Sequence, residues 1–247
     1  MSFGIRFRFS RGHSLQYIAH LDMLRLFERT LRRAHLPVSH TQGFNPRMKI
    51  VFGLPMAIGL SSGAEYADVE MDDAISPGMF LDAMNRHIPQ GMKVLEAVPL
   101  AGSDNVMSLI GAARYRVAFR SETGTSPEEM GALLRTMLDA ENVPVMKKGK
   151  KGLHEVNVRP LVFSAAVSQT GGQWLLEAFI SAGSVDNLRP DLLMDAWQSL
   201  VHRNFRICSL YRDALYASLD NEWISPTDPR ICGVKVQPDQ DGTGEYR

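Results

Sequence analysis

The sequence passes twice through one order of predicted elements: strand, helix, strand, strand, helix, strand. The first strand, residues 3–9 (FGIRFRF), alternates apolar and polar side chains, as a strand with one buried face does. Residues 113–120 (ARYRVAFR) repeat this alternation. Because β-α-β-β-α-β is the ferredoxin-like order, we predict an α+β fold of two tandem ferredoxin-like units with antiparallel sheets.

Within the first unit, helical spacing of apolar side chains predicts a long helix over residues 14–34, with Tyr17, Leu21 and Phe27 on the side that faces the core. Two strand-like runs, residues 48–60 and 65–72, are separated by a turn-like stretch at residues 61–64. A serine cap followed by proline at residues 76–77 predicts the start of a second helix.

The second unit contains the same signals. Ser126 and Pro127 predict a helix start, and a Gly-Gly pair at residues 171–172 predicts a hairpin turn. We therefore divide the chain into a first unit (residues 1–100), a linker (101–112), a second unit with a Lys-rich hairpin (113–217) and an irregular C-terminal tail (218–247).

Composition restricts the classes of function. The 247 residues, 45% of them apolar, suffice for one large core or two small ones. The 27 basic and 27 acidic side chains cancel, so any nucleic-acid site must be local.

No apolar run approaches the roughly 20 residues that span a bilayer, so we expect a cytoplasmic protein with no membrane partner. The cysteines, Cys208 and Cys232, are too few for a disulfide framework and are expected to be free thiols.

Basic side chains are concentrated in two segments. Residues 1–50 contain nine Lys and Arg but only two acidic residues, and residues 147–159 are also basic. We predict that both clusters line one cleft for RNA, another anion or a partner protein, although a solvated helix face and a hairpin tip are simpler alternatives. The candidate binding residues are Arg25, Arg29, Arg32, Arg33, Gln42, Gly43, Phe44, Asn45, Pro46, Arg47, Lys49, Lys147, Lys148, Lys150, Lys151 and Arg159.

The loop within residues 41–49 is the most unusual part of the first unit. Gly43 permits a positive φ, and Pro46 pushes Asn45 into extended geometry, which holds Phe44 between two constrained positions. Such a loop would present Phe44 and polar neighbours for stacking and hydrogen bonding. In the alternative interpretation, Phe44 turns inward and plugs the turn.

The sheet face of the first unit is a less favourable RNA-binding site than the basic cleft. Arg6 and Arg8 would share it with Asp68 and Glu70 if the third strand pairs with the first. RNA-binding modules of this topology stack bases on aromatic side chains of the open sheet face. A face lined with paired opposite charges disfavours that mode of binding.

Residues 18–71 resemble the signature region of the radical SAM-linked protein family, an uncharacterised bacterial group. The most specific part is the motif TQGFNPRMKIVFGLP, in which Thr41 stands where the family has Ser and keeps the hydroxyl. The resemblance extends through KKGKKGLHEVNVRPLVF to RPDLLMDAW and SLYRDALY. It implies a protein encoded beside, or fused to, a radical SAM enzyme that often carries a cobalamin-binding-like domain. That enzyme is the implied partner, and no reaction of the family can be transferred.

Catalytic signatures are missing from the sequence. It has neither the three closely spaced cysteines of a radical SAM cluster nor a nucleophile elbow or phosphate loop. His35 and His40 flank a proline and do not predict a zinc site, so we expect no metal and no cofactor. Residues with a possible functional role are His20, Asp22, Glu65 and Tyr66. His20 also fits a core histidine, and Asp22 fits a helix ion pair with Arg25.

These patterns favour a non-catalytic adaptor that works with a radical SAM enzyme and binds RNA or another anionic substrate in a basic cleft. The first alternative is a stand-alone enzyme that processes or modifies RNA. It requires His20, His40 or Tyr66 to open into the cleft. The second alternative is a binding module for a phosphate-bearing small molecule.

Overall fold

The computed structural model describes residues 3–102, 104–121, 124–149 and 152–233. The strands in this part of the chain are β1 (Phe3–Arg11), β2 (Ile50–Phe52), β3 (Leu60–Met71), β4 (Met92–Leu100), β5 (Ile110–Ser121), β6 (Pro144–Gly149), β7 (Gly152–Asn157), β8 (Val162–Thr170), β9 (Gln173–Ser181), β10 (Phe205–Leu219) and β11 (Glu222–Ile224). The helices are α1 (His20–Arg33), α2 (Pro77–His87), α3 (Val106–Leu109), α4 (Pro127–Asp139), α5 (Pro190–Val201) and α6 (Pro229–Cys232).

Nine of the described strands form one sheet that both halves of the sequence share. Seven of them run in the order β4-β1-β3-β10-β5-β9-β8, with β2 beside β3 and β11 beside β10. The strands β6 and β7 form a separate hairpin. The mixed helix and strand content and the mostly antiparallel sheet were predicted from the sequence. The two separate sheets that we expected are instead joined into one.

In the first half, β1 lies between β3 and β4 and is antiparallel to both. The alternation of β1 sends Phe7 and Phe9 to the face on which α1 and α2 pack. There Phe9 lies 4.7 Å from Phe27 of α1, and Phe7 lies 5.2 Å from Phe80 of α2, between ring centroids. These buried aromatic rings form the centre of the first core.

The second half repeats this connectivity. Strand β5 lies between β9 and β10, antiparallel to both, and β8 pairs with β9 through the predicted turn at Gly171 and Gly172, which both have positive φ. Phe119 on β5 packs against Trp197 of α5, with ring centroids 5.7 Å apart. The hairpin of β6 and β7 is an insertion between α4 and β8.

The halves meet where β3 pairs in parallel with β10, with Leu60 opposite Leu210. A buried polar network crosses this seam. Nη1 of Arg212 donates to both carboxylate oxygens of Glu65 at 2.7 and 2.8 Å, and Nε donates to the Tyr115 hydroxyl at 3.0 Å. Burial raises the pKa of the Glu65 carboxyl and of the Tyr115 hydroxyl, while the adjacent Arg212 opposes both shifts.

The same network shows that the long helices of both halves pack on one face. Glu65 is the β3 partner of Phe9, which faces α1, and Tyr115 belongs to the second core with residues of α4 and α5. Arg212 reaches both, so the two helix-covered faces are continuous. The opposite face is called the outer face below.

The tail and the predicted linker cover the first half of the outer face. Arg6 pairs with Asp68 at 2.7 Å, as the sequence suggested, and also donates to the carbonyls of Pro226 and Asp104 at 3.0 Å. The amide of Ala101 donates to the Cys232 carbonyl. The predicted tail therefore wraps over the sheet as far as residue 233, and residues 234–247 lie outside the described part.

Three local predictions are wrong. The turn-like residues 61–64 lie inside β3, because the chain turns earlier, between β2 and Leu60. The first helix begins at His20 rather than at residue 14, because a single 3-10 turn at residues 13–15 precedes it. The predicted linker forms α3, whose Val106 is buried and donates its amide to Asp68. Cys208 and Cys232 are free thiols, as expected.

We predict that the Arg212→Met variant loses about 3–5 kcal/mol of the free energy of unfolding, because Glu65 is left as an unpaired buried charge. Replacing Glu65 by Met as well should restore most of the loss. The Arg203→Met variant breaks the partly exposed pair with Glu129 and should cost at most about 1 kcal/mol. Urea denaturation of the three variants measures these differences. Equal losses in the single and double Glu65/Arg212 variants would contradict the assignment.

Candidate nucleic-acid interface

Helix α1 positions the basic residues of the first half. It buries Met23, Phe27, Thr30 and Leu31 against the sheet, so its arginines fall on the remaining faces. Acidic side chains near the N-terminus of a helix and basic ones near its C-terminus are favourable with its dipole, and α1 has Asp22 in its first turn and two arginines in its last. The fourteen residues of α1 extend over about 21 Å.

A groove of about 580 Å³ follows one side of α1. We call it the arginine groove, and it is lined by Tyr17, Asp22, Arg25, Arg29, Arg33 and Pro89, among other residues. Arg25 donates to Asp22 at 3.1 Å, which is the predicted helix ion pair. Arg33 donates to the carbonyl of His87, at the C-terminal end of α2. Arg29 has no carboxylate within 4 Å in the described part of the chain.

A second groove of about 500 Å³ lies between α1 and the loop at residues 41–49. We call it the loop groove, and it is lined by Arg25, Glu28, Arg32, His40, Pro46 and Arg47, among other residues. Arg32 and Arg47 form no ion pair with any described residue, and both are exposed. Glu28 is the acidic residue of this groove. Arg25 borders both grooves, so they form one basic surface around α1.

The loop is closed by a reciprocal pair of hydrogen bonds. The amide of Thr41 donates to the Arg47 carbonyl at 2.8 Å, and the amide of Arg47 donates to the Thr41 hydroxyl at 3.0 Å. The hydroxyl that both Ser and Thr supply at position 41 therefore has a structural role. Gly43 has a φ of 129°, as its position in the loop suggested.

Phe44 is fully exposed at the tip of this loop. The alternative in which it plugs the turn is therefore excluded. Gln42, Asn45 and Pro46 are exposed beside it. The loop presents an aromatic ring and two amide side chains on a closed backbone, which is suited to stacking and hydrogen bonding.

Two more exposed apolar side chains border the grooves, and sequence reasoning missed both. Tyr17 is 72% exposed and Leu21 is 65% exposed, although helical spacing predicted that both face the core. Leu21 lies on the side of α1 away from the buried Phe27, and Tyr17 lies in the segment before α1 begins. Arg11 is buried under this segment and donates to the carbonyls of Leu15 and Ile18, which fixes the chain just before the helix.

The second basic cluster lies elsewhere. Lys147 on β6 donates to the Asn187 carbonyl at 3.5 Å, and its hairpin packs against α5 in the second half. Arg159 donates to the carbonyls of residues 138 and 162, which ties α4 to β8. Lys148 is exposed on the hairpin. Lys150 and Lys151 lie outside the described residues.

Lys49 also points away from the grooves and pairs with Glu70 at 3.0 Å.

The residues for which we expected a possible functional role are dispersed. His20 packs edge-on against Phe52, with ring centroids 5.7 Å apart. Glu65 belongs to the seam, and the buried Tyr66 hydroxyl lies 3.3 Å from the Ser225 hydroxyl. His40, which the enzyme alternative also requires in the cleft, lines the loop groove.

Among the residues that the structure describes, no three His, Cys, Asp or Glu side chains are grouped so that they would hold a metal ion. No described helix is both long enough and apolar enough to cross a membrane.

A family model described as "Uncharacterized protein conserved in bacteria (DUF2344)" matches residues 4–190. The chain belongs to this family. The match includes α1, the loop and both grooves, so the basic surface lies within the DUF2344 region. Arg212 on β10 lies beyond it. No curated protein sequence matches the chain.

Several solved structures match the DUF2344 chain at low identity. A chain in the crystal structure of a Cbf5-Nop10-Gar1 complex has a TM-score of 0.47 and 10% identity, over 86% of this chain and 48% of that one. A chain in the structure of an H/ACA RNP bound to a substrate RNA containing 2'-deoxyuridine has a TM-score of 0.44 and 10% identity, over 85% and 46%. The protein thus spans about half the length of these chains. At such TM-scores the matches carry no argument about function.

We predict that the Phe44→Ala variant changes the free energy of unfolding by less than about 0.5 kcal/mol, because the ring is exposed and contributes no core packing. The Phe27→Ala variant is the matched control and should lose about 3–5 kcal/mol, because Phe27 is buried under the sheet. Thermal or urea denaturation measures both. A large loss in Phe44→Ala would indicate that the ring packs inward in solution.

Proposed function

We propose that the basic surface around α1 binds RNA and that the protein is a non-catalytic accessory protein of a radical SAM enzyme. The observation that carries the RNA assignment is the set of three exposed arginines, Arg29, Arg32 and Arg47, without carboxylate partners among the described residues. Phosphate contacts by such side chains supply most of the affinity for nucleic acid. Exposed Phe44 and Tyr17 add surfaces for base stacking.

The shape of the surface supports a polymeric ligand over a small metabolite. The arginine groove and the loop groove lie on different sides of α1 and share Arg25. A chain of phosphates contacts both grooves, whereas a single phosphate-bearing metabolite occupies one of them. We therefore favour RNA over the small-molecule alternative.

A radical SAM partner follows from the family resemblance, and one structural feature is compatible with it. Leu21 is an exposed apolar side chain that lines the loop groove, and Phe44 is exposed at the tip of the loop that borders this groove. Exposed apolar residues surrounded by polar ones are typical of protein interfaces. We propose that these two residues contact the enzyme in the cytoplasm, where thiols such as the exposed Cys208 stay reduced.

A catalytic role on RNA is the second candidate function, and the position of His40 favours it. Its ring lines the loop groove together with Arg32 and Arg47. A histidine beside phosphate-binding arginines is the arrangement that general base catalysis on RNA needs. His20 and Tyr66 do not contribute, because they pack against Phe52 and Ser225.

We also infer that each half is a ferredoxin-like unit. The first half has the strand order β4-β1-β3-β2 and the second has β10-β5-β9-β8, so corresponding strands of the two β-α-β-β-α-β segments hold the same places. The boundaries at residues 100, 113 and 217 remain our proposal. The units are not independent, because Leu54, Met56 and Leu60 from the first segment belong to the second core.

RNA binding is tested with Arg29→Ala/Arg32→Ala/Arg47→Ala at salt concentrations from about 50 to 200 mM. If each arginine contacts one phosphate of single-stranded RNA, the slope of log Kobs against log salt should fall by about 2 in this variant. The matched control is Arg86→Ala/Lys93→Ala/Arg135→Ala, which removes three exposed charges elsewhere. Filter binding to total bacterial RNA measures the slopes. Equal slopes in both triple variants would contradict the assignment.

The partner is tested by co-expression with a radical SAM enzyme encoded beside this chain, as the family resemblance implies. If Leu21 and Phe44 are central to the interface, Leu21→Ser/Phe44→Ser should weaken the complex about 30-fold or more. The control is Met107→Ser/Val185→Ser, which changes two exposed apolar residues elsewhere. Size-exclusion chromatography of the purified pair measures the complex. A complex that survives the first variant and not the control would place the interface elsewhere.

A further inference from the structure

The outer face of the sheet differs between the two halves. The tail and the α3 segment cover it in the first half, where Arg6 contacts the carbonyls of Pro226 and Asp104. In the second half, the corresponding face of β8, β9, β5 and β10 is covered by no described helix. Trp223 of β11 packs at one end of it, against Phe163 and Phe179. We call this uncovered part the open sheet face.

Arginines without acidic partners lie at one end of the open sheet face. Arg120 on β5 and Arg206 on β10 are direct partners across the strands. Like charges in this position destabilise a sheet. Both side chains are exposed, and neither has a carboxylate within 4 Å among the described residues. An anion bound between them would relieve the repulsion.

Aromatic side chains lie at the other end. Phe163, Phe179 and Trp223 form a cluster with ring centroids 5.3–5.7 Å apart. The guanidinium of Arg114 lies 5.8 Å from the centre of the Phe179 ring. Phe163 and Trp223 are both exposed at the surface. Six residues of β5 separate Arg114 from Arg120, which corresponds to about 20 Å along the strand.

Between the two ends lie the acidic residues of the face. Arg116 pairs with Asp213 at 2.6 Å and lies 4.7 Å from the centre of the Tyr211 ring. Glu177 is exposed on β9. The charge excess therefore rests on Arg114, Arg120 and Arg206.

We propose that the open sheet face binds a single-stranded nucleic acid, with bases stacked on Trp223 and Phe163 and phosphates held by Arg120 and Arg206. Aromatic rings on an open β-sheet accept unpaired bases, and arginines beside them neutralise the backbone. The face carries charge at one end and rings at the other, so it fits a strand that offers both phosphates and bases. It lies across the sheet from α1, so this inference does not depend on the proposed function of the grooves.

Tryptophan emission provides a specific test, because Trp223 is 39% exposed whereas Trp174 and Trp197 are 5% and 0% exposed. The full chain is titrated with a 12-nucleotide oligouridine, and fluorescence anisotropy of the labelled oligonucleotide is recorded in parallel. We expect emission to be quenched in the wild type and in Arg29→Ala/Arg32→Ala/Arg47→Ala, and to stay constant in Trp223→Phe. Absence of binding at about 50 mM salt, or binding without quenching, overturns the proposal.

The arginine pair is tested by Arg120→Gln/Arg206→Gln. This variant should bind the oligonucleotide about tenfold more weakly, as measured by quenching of Trp223 emission. The control is Arg86→Gln/Arg135→Gln, which removes two exposed charges outside this face. The Arg206→Glu variant replaces repulsion with an opposite-charge pair, so its urea midpoint should rise while its binding weakens. Unchanged binding in both Arg206 variants overturns the proposal.

Two further probes separate related ligands. Oligothymidine of the same length distinguishes DNA from RNA, and quenching by either supports the proposal. Inorganic polyphosphate carries the charge without the bases. If polyphosphate displaces the oligonucleotide and quenches Trp223 equally, base stacking is excluded and the proposal fails.

Discussion

The parallel pairing of β3 with β10 is the interaction on which the rest of the structure depends. It joins two β-α-β-β-α-β segments into one sheet. A buried ion pair crosses this junction, with Glu65 in the first half and Arg212 in the second. Arg212 occupies the centre, where it donates to Glu65 from the first half and to Tyr115 from the second. An ion pair in this position costs desolvation and gives directional bonds in return, so it selects one alignment of the halves. The same alignment places the four long helices α1, α2, α4 and α5 on one face, and no described helix covers the outer face of the second half.

Much of the fold was predictable from local patterns. Alternation in FGIRFRF and ARYRVAFR identified β1 and β5, and the serine-proline starts identified α2 and α4, because these signals depend on neighbours in sequence. The seam was not predictable, because its three residue pairs join Leu60–Ser62 to Leu210–Arg212, which lie far apart in the sequence. The turn at residues 61–64 was misplaced for the same reason. Small polar residues indicate a turn locally, and here they form the part of β3 that pairs with β10.

The candidate site was also predictable only in part. The loop and the arginines of α1 were found from sequence, since charge excess and constrained backbone positions are visible there. The sequence does not show how the two halves are arranged, so it could not show whether the two basic clusters converge. In the structure, Lys147 contacts Asn187 in the second half, whereas α1 packs on the first half. Tyr17 was assigned to the core because the helix was predicted to begin six residues too early, and Leu21 because it was placed on the wrong side of the helix. Arg11 fixes the segment that carries Tyr17, and its bonds to backbone carbonyls have no signal in a hydrophobic pattern.

The shared sheet also means that the halves are poor candidates for separate evolution or expression. A polypeptide that ends near residue 100 would leave the edge of β3 at Leu60–Ser62 without its partner strand, and the isolated second half would expose the edge of β10. Unpaired edges of this kind recruit strands from other molecules and promote aggregation. The first fragment would also lose Arg212, the arginine that pairs with Glu65. The unit of solubility is therefore the joined pair, even though each half has the connectivity of a complete small domain.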